Sequence, residues 1–342
     1  MSRTDESRTR GYGRVTRKDV ARYAGVSTAV VSYTLNGGPK KVSPETTQKV
    51  LEAVAALGYR PNATARALTM GSTEMLGLVV PDSRNPFFAE LCHSAEAVAA
   101  GRGRAVLIVN AEGGTDEVTR HVHSLASRQV DGLLIASYVP PSSAGMLSDL
   151  RLPTVVLNQF DAMDGLPTIG VDLEAGARLG LEHLVAHGHQ DIAFVGGGDP
   201  EDRREAGWRA VLEEAGLRAR PALRAEFSPV GGYRAAQQML ARGGRPTAVF
   251  VSSDYQAMGV LRACHEAGLS IPADVAVVSF DGTVESEFSC PALTTVRQPL
   301  REMVTEAIRQ LVDDDAWSPS YRTYPAELVI RQSCGCPQGQ QN

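Results

Sequence analysis

The side chains most capable of chemistry in this chain are few and scattered. Cys334-Gly335-Cys336 is the only close pair among Cys92, Cys264, Cys290, Cys334 and Cys336. Tetrahedral zinc wants more ligands than that pair, and no Cys or His pair with zinc-like spacing accompanies it, so no metal is expected. Odd, dispersed cysteines also argue against a disulfide framework. His187-Gly188-His189 reads as a helix end running into a strand, where a single buried, hydrogen-bonded imidazole is expected rather than a ligand pair. His121 and His123 lie two apart on a helical stretch and point to different faces. Gly196-Gly197-Gly198-Asp199 follows a strand-like run but lacks GxGxxG spacing, and no GxxxxGK[ST] string occurs. No nucleophile, base and acid can be grouped, so neither catalysis nor a cofactor is expected.

Charge is more telling. The net charge of −5 conceals a basic head: residues 1–74 hold twelve Lys and Arg against six Asp and Glu, a net of +6, while residues 75–342 carry a net of −11. All four lysines, Lys18, Lys40, Lys41 and Lys49, lie in the head. A small basic unit on a large acidic body is an electrostatic footprint for phosphate. Residues 1–14 are polar and charged and read as a disordered leader without the apolar core of a signal peptide. No run approaches the ~18–20 apolar residues of a membrane helix, so a cytoplasmic protein with no membrane partner is expected.

The elements that must position these groups follow from local signals. Thr16 opens a helix as its N-cap and Gly25 ends it. Ser27 caps a second helix over Thr28–Leu35, which Asn36-Gly37-Gly38-Pro39 breaks. Ser43 caps a third with Pro44 in its first position, an apolar face of Val50, Leu51, Val54 and Leu57, and Gly58 at its end. The first two helices around Ala24-Gly25-Val26-Ser27 make a helix-turn-helix. From Met75 the texture changes. Apolar runs at 75–80, 105–110, 132–137, 153–158, 192–197, 247–253 and 275–282 read as buried strands, separated by helical stretches such as Ala89–Ala100, Ala175–His187, Glu205–Glu214 and Met258–Ala267. This order predicts an α/β core of two lobes with parallel sheets and a ligand cleft at the carboxyl ends of the strands.

The strings Thr16-Arg17-Lys18-Asp19-Val20-Ala21, Gly25-Val26-Ser27, Leu35-Asn36-Gly37, Val42-Ser43-Pro44-Glu45-Thr46 and Gly58-Tyr59-Arg60-Pro61-Asn62-Ala63 resemble the headpiece of the lactose/galactose repressor family. The agreement continues through Asn85-Pro86-Phe87-Phe88, Val130-Asp131-Gly132, Pro291-Ala292-Leu293-Thr294-Thr295 and Glu327-Leu328-Val329. The resemblance implies a dimeric transcription factor, usually a repressor, on a palindromic duplex, with a core like periplasmic sugar-binding proteins. It implies a headpiece over 15–60, a hinge over 61–74 and a core over 75–334. In that core, one lobe takes about 75–170 plus 299–320, the other about 171–298 plus 321–334, and 335–342 is a tail. Thr28, Ala29 and Tyr33 would face base edges. Thr16, Ser27, Ser32, Asn36, Ser43 and Thr46 correspond to positions that fix register on phosphates, and Lys41 lies in the basic loop beside them. Asn62, Ala65, Arg66 and Leu68 match the hinge, with Leu68 the residue that enters the minor groove. Tyr33 and Val30 depart from the Arg and Thr common in the family, so the preferred half-site should differ. After Arg331 no apolar heptads follow, which predicts a dimer rather than a tetramer.

The same resemblance supplies a sensor site. Phe87 and Phe88 would stack on a sugar ring or a base, Arg204 corresponds to the ligand-gripping arginine, and Asp281 to its carboxylate partner. Asn158, Asp172, Phe227, Asp254 and Gln298 complete the expected set. Arg, Asp and aromatic walls suit vicinal hydroxyls, so the expected effector is a sugar or sugar derivative. A purine-type effector and a solute-binding module without a DNA role are the alternatives.

Overall fold

The computed structural model describes residues 15–36, 40–60, 71–112, 114–198, 202–241, 245–313 and 317–336. The chain divides into two compact units, one ending at Thr73 and the other beginning at Glu74.

The first unit holds helices α1 (Arg17–Ala24), α2 (Thr28–Asn36) and α3 (Pro44–Leu57). Capping sets their ends. The Asp19 carboxylate accepts from both the Thr16 N–H at 3.0 Å and the Thr16 hydroxyl at 2.7 Å, tying the first turn of α1 to its cap. Gly25 and Gly58 close α1 and α3 at φ of 68° and 61°, the left-handed region that a side chain would strain. The Ser43 hydroxyl accepts from the Thr46 N–H at 3.3 Å. Val20, Ala21, Val31, Val50, Ala53 and Tyr59 form the miniature core. Leu51, expected on the buried face of α3, is exposed, and Ala53 takes its place: three helices enclose a stripe too narrow for four large side chains.

The second unit carries two six-stranded sheets. Its strands are β1 (Met75–Val80), β2 (Ala105–Asn110), β3 (Gly132–Ile135), β4 (Thr154–Leu157), β5 (Thr168–Val171), β6 (Ile192–Gly196), β7 (Leu223–Arg224), β8 (Ala248–Val251), β9 (Ala276–Asp281), β10 (Thr294–Arg297), β11 (Tyr321–Tyr324) and β12 (Glu327–Val329). Its helices are α4 (Pro86–Ala100), α5 (Thr115–Ser127), α6 (Ala144–Asp149), α7 (Leu173–Ala186), α8 (Arg203–Glu214), α9 (Pro229–Ala241), α10 (Asp254–Glu266), α11 (Val284–Phe288) and α12 (Leu300–Val312). The first sheet runs β11-β5-β4-β3-β1-β2, the second β12-β10-β9-β8-β6-β7, and only β12 pairs antiparallel, to β10. Strands β1, β3, β4, β8 and β9 are almost wholly buried, as expected of parallel strands covered on both faces.

Two expected boundaries move. β11 pairs in parallel with β5, so the second segment of the first lobe runs through Tyr324 rather than stopping at 320. The tail starts later than 335, because Cys336 packs against the main hydrophobic core. Among the described residues, no helix is long and apolar enough to cross a membrane.

The second lobe is keyed by close helix contact. A methyl group at Gly259 of α10 would lie 1.9 Å from the Pro229 carbonyl oxygen, and one at Gly232 of α9 would lie 2.0 Å from that of Gln256. These glycines let the two helix backbones pack in direct contact.

Candidate functional site

Between the two lobes lies a cleft of about 250 Å³, just below the ~300–1,000 Å³ usual for ligand sites. Its walls come from strand ends: Asp82 after β1, Tyr138 after β3, Asn158 and Phe160 after β4, Ser253 after β8, Asp281 at the end of β9 and Gln298 after β10. Phe87 and Phe88 of α4 add an aromatic corner, their rings edge to face at 5.1 Å, and Tyr138 stacks on Phe160 at 6.0 Å. Phe227 closes the other side. Gly197 makes room for it, since a side-chain carbon there would meet the Phe227 ring at 2.4 Å. The glycine run that superficially suggested a dinucleotide loop is thus a seat for an aromatic ring.

Arg204 projects from the first turn of α8, where the Asp202 cap accepts from its backbone N–H at 3.0 Å. The same carboxylate takes the guanidinium fork, Nε to Oδ1 at 2.9 Å and Nη2 to Oδ2 at 3.1 Å, and Nη1 donates to the Ser252 carbonyl at 2.8 Å. The guanidinium carbon lies 5.1 Å from the Phe227 ring centre and 5.6 Å from that of Phe280. Asp202, not Asp281, is therefore the partner that holds Arg204. Among the described residues, three of the five guanidinium donors are used, which leaves two for a ligand.

Asp281 is buried at φ 116°, a conformation costly for any residue with a side chain. Gln298 Nε2 donates to its Oδ1 at 2.9 Å, while Gln298 Oε1 is buried and has no partner among the described residues. Burial, helped by the nearby charge of Asp254, pushes the Asp281 carboxyl well above its ordinary 3.8, against the pull of Arg204. An effector that donates hydroxyls to Asp281 would favour the carboxylate and so bind more tightly as pH rises through the raised value. Effector affinity measured across pH should show this rise, and Asp281→Asn should flatten it. A pH-independent affinity in the parent protein would sink this account. The sign for folding follows the same shift. Asp281 favours the fold most below 3.8, and its contribution falls as pH rises through its raised value.

Of the expected set, Phe87, Phe88, Asn158, Arg204, Phe227, Asp281 and Gln298 line the cleft. Two do not. Asp172 is exposed and caps α7, accepting from the Ala175 N–H at 2.9 Å, because the strand-to-helix turn needs an acceptor there. Asp254 spends its carboxylate internally, on the Ser279 and Thr295 hydroxyls and on the backbone and hydroxyl of Thr283. Asp82, Asn85, Tyr138, Phe160 and Ser253 line the cleft without having been expected; each sits within a few residues of a strand end, the signal that could have found them. Two clasps span the lobes beside it, Glu90 Oε1 accepting from the Val284 N–H at 2.7 Å and Arg203 pairing with Asp161 at 2.5 Å.

In the headpiece, Thr16, Ser27, Thr28, Ala29, Asn36, Lys41 and Ser43 are exposed, and Ser32, Tyr33 and Thr46 are half-buried. Ser32 Oγ accepts from Arg17 and from Asn36, each at 3.5 Å. Asn62, Ala65, Arg66 and Leu68 lie outside the described residues. His183 and His187 form a pair one turn apart, and Cys336 approaches both.

Residues 16–62 match the model for bacterial regulatory proteins of the lacI family, and residues 181–334 match a periplasmic binding protein-like domain. The HTH-type transcriptional repressor PurR of Erwinia tasmaniensis is 36% identical over 311 residues, spanning 87% of this chain and 89% of that one. The chain belongs to the lacI family. The fold of this family member superposes on the lac repressor dimer bound to operator and the anti-inducer ONPF, with a TM-score of 0.84 at 30% identity over 94% of this chain and 99% of that one. A transcriptional regulator, CelR, in complex with cellobiose matches at a TM-score of 0.68 and 29% identity, over 94% and 100%. As a lacI-family protein the chain is a DNA-binding transcriptional regulator, an effector-controlled repressor and not an enzyme.

Proposed function

We propose that this regulator is a cytoplasmic homodimer that represses from a palindromic duplex and answers to a small carbohydrate bound between its core lobes. The observation that carries the effector is the polar end of the cleft. There, free guanidinium donors on Arg204, the Asp281 carboxyl and the unpartnered Gln298 Oε1 stand beside the aromatic rings. Vicinal hydroxyls both accept from a guanidinium and donate to carboxylate and amide oxygens, while a sugar's apolar face packs on phenylalanine. The cellobiose complex of a structural neighbour supports the same chemistry. A planar purine is the second reading, favoured by the stacked pair Tyr138 and Phe160. Calorimetry against mono- and disaccharides and against purine bases decides between them: micromolar binding of purines alone would overturn the carbohydrate.

On the DNA side we infer that α2 enters the major groove with Thr28, Ala29 and Tyr33 toward the bases. Thr16, Ser27, Ser32, Asn36, Ser43 and Thr46 would hold phosphates, aided by exposed helix N-terminal amides. Asn62, Ala65, Arg66 and Leu68 would form the minor-groove hinge. Lys41→Ala should weaken binding to every duplex alike and lower the slope of log K against log salt by ~0.9, one phosphate contact. Tyr33→Arg should instead reorder the preferred operators by ~1–3 kcal/mol at one symmetric pair of positions, because it supplies a fork for guanine. Operator selection at fixed salt checks both. If Tyr33→Arg tightens all duplexes equally, residue 33 touches the backbone.

A further inference from the structure

The far end of α7 carries a cluster for which the effector cleft has no use. His183 and His187 are one turn apart, so their rings share a face, with centres 4.5 Å apart. The segment after β12 lays Cys336 across them, its Sγ 3.6 Å from His183 Nε2 and 3.2 Å from His187 Nε2. All three atoms lie within 4.8 Å of one another. Two imidazole nitrogens and a thiol sulfur converging on one point are the donor set of a borderline cation of the zinc class, whereas magnesium and calcium want oxygen. Zinc bonds of ~2.0–2.1 Å to nitrogen and ~2.3 Å to sulfur at tetrahedral angles place N and S ~3.6 Å apart, close to the separations found here. Exposure of His187 leaves a fourth position for water. The buried Cys334 thiol lies against the same His183 and beside Cys336, and it also donates to the Arg331 carbonyl at 3.6 Å.

We propose that His183, His187 and Cys336 form a zinc-class metal site that pins the C-terminal segment to α7. Each neutral imidazole gives its Nε2 lone pair to the metal. The Cys336 thiol gives its proton to solvent as the sulfur–metal bond forms, water completes the tetrahedron, and no oxidation state changes. The pin closes the end of the same helix whose first residue, Leu173, lines the effector cleft.

The test uses the tag-free full chain, stripped with a chelator and titrated with Zn2+ against a chromophoric competitor. We expect one zinc per chain. His187→Ala and Cys336→Ser should each weaken binding by roughly 100-fold or more, since losing even an outer-shell partner typically costs 10–100-fold. His187 is exposed and Cys336 only partly buried, and circular dichroism verifies the fold of both weakened variants. Co2+ should give a thiolate-to-metal charge-transfer band that Cys336→Ser abolishes, and zinc should raise the melting temperature of the parent chain but not of either variant. The site is overturned by absence of stoichiometric zinc, by equal affinity in the parent and in His187→Ala or Cys336→Ser, or by a cobalt spectrum without the thiolate band. In any of these outcomes the cluster is a hydrogen-bonded contact of Cys336 with two histidines.

Discussion

Arg204→Ala should abolish the effector response while leaving operator binding in the absence of effector intact. The guanidinium lies between the Asp202 fork and the ring of Phe227, with two donors free toward the cleft. Truncating one member of a buried, hydrogen-bonded charge pair costs about 2–5 kcal/mol of binding, roughly 30-fold to several thousand-fold. The variant also strands the buried carboxylate of Asp202, which should lower core stability by about 3–5 kcal/mol. The two losses separate by titrating effector at a temperature where the variant is fully folded, with DNA binding as the check on the headpiece. Arg204→Lys keeps the charge but not the fork and should fall between. Full response in Arg204→Ala would remove Arg204 from the effector site.

Trp208→Ala should be the most damaging single truncation in the second lobe. Trp208 is fully buried on α8, stacks on Phe194 at 5.4 Å and donates its indole N–H to the Ile192 carbonyl at 3.2 Å. Removing so large a side chain costs about 3–5 kcal/mol through lost burial and the cavity left behind, and it orphans a strand carbonyl as well. Because the headpiece is a separate compact unit with its own core, its transition should not move. Urea unfolding followed by far-ultraviolet dichroism, with operator binding by the surviving headpiece, reads the two units apart. A shift below about 1 kcal/mol would mean that the lobe collapses around the vacancy.

Much of this architecture is legible in the chain. The seven apolar runs became β1–β4, β6, β8 and β9; all but the half-buried edge strand β2 are covered on both faces and so must be continuously apolar. Strands β5, β7, β10, β11 and β12 were not legible. They are two to four residues long, and Tyr321-Arg322-Thr323-Tyr324 alternates like a surface loop until a parallel neighbour pairs with it. The site divides the same way. Arg204, Asp281, Phe87 and Phe88, which line the cleft, could be picked out because their neighbours form recognisable strings. Tyr138, Phe160 and Asp82 sit just past apolar runs, where composition says only loop. Asp254 and Asp172 do not line the cleft, which was not legible because sequence shows a carboxylate and not which hydroxyls or amides have claimed it. The histidine pair was missed for a simpler reason: His187-Gly188-His189 are neighbours in sequence, whereas His183 and His187 are neighbours in space.

The interleaving of the two sheets has a consequence for synthesis on the ribosome. The first lobe needs α12 and the edge strand β11, and the second needs β12, so neither can close until translation has passed Tyr324 or Val329. The headpiece is complete by Tyr59. At ~5–20 residues per second, roughly ten to fifty seconds separate a nascent chain able to fold its DNA-binding unit from one able to fold its sensor. During that interval the unregulated module exists before the part that governs it, and any message cut short between the two would deliver an operator reader that no metabolite can address.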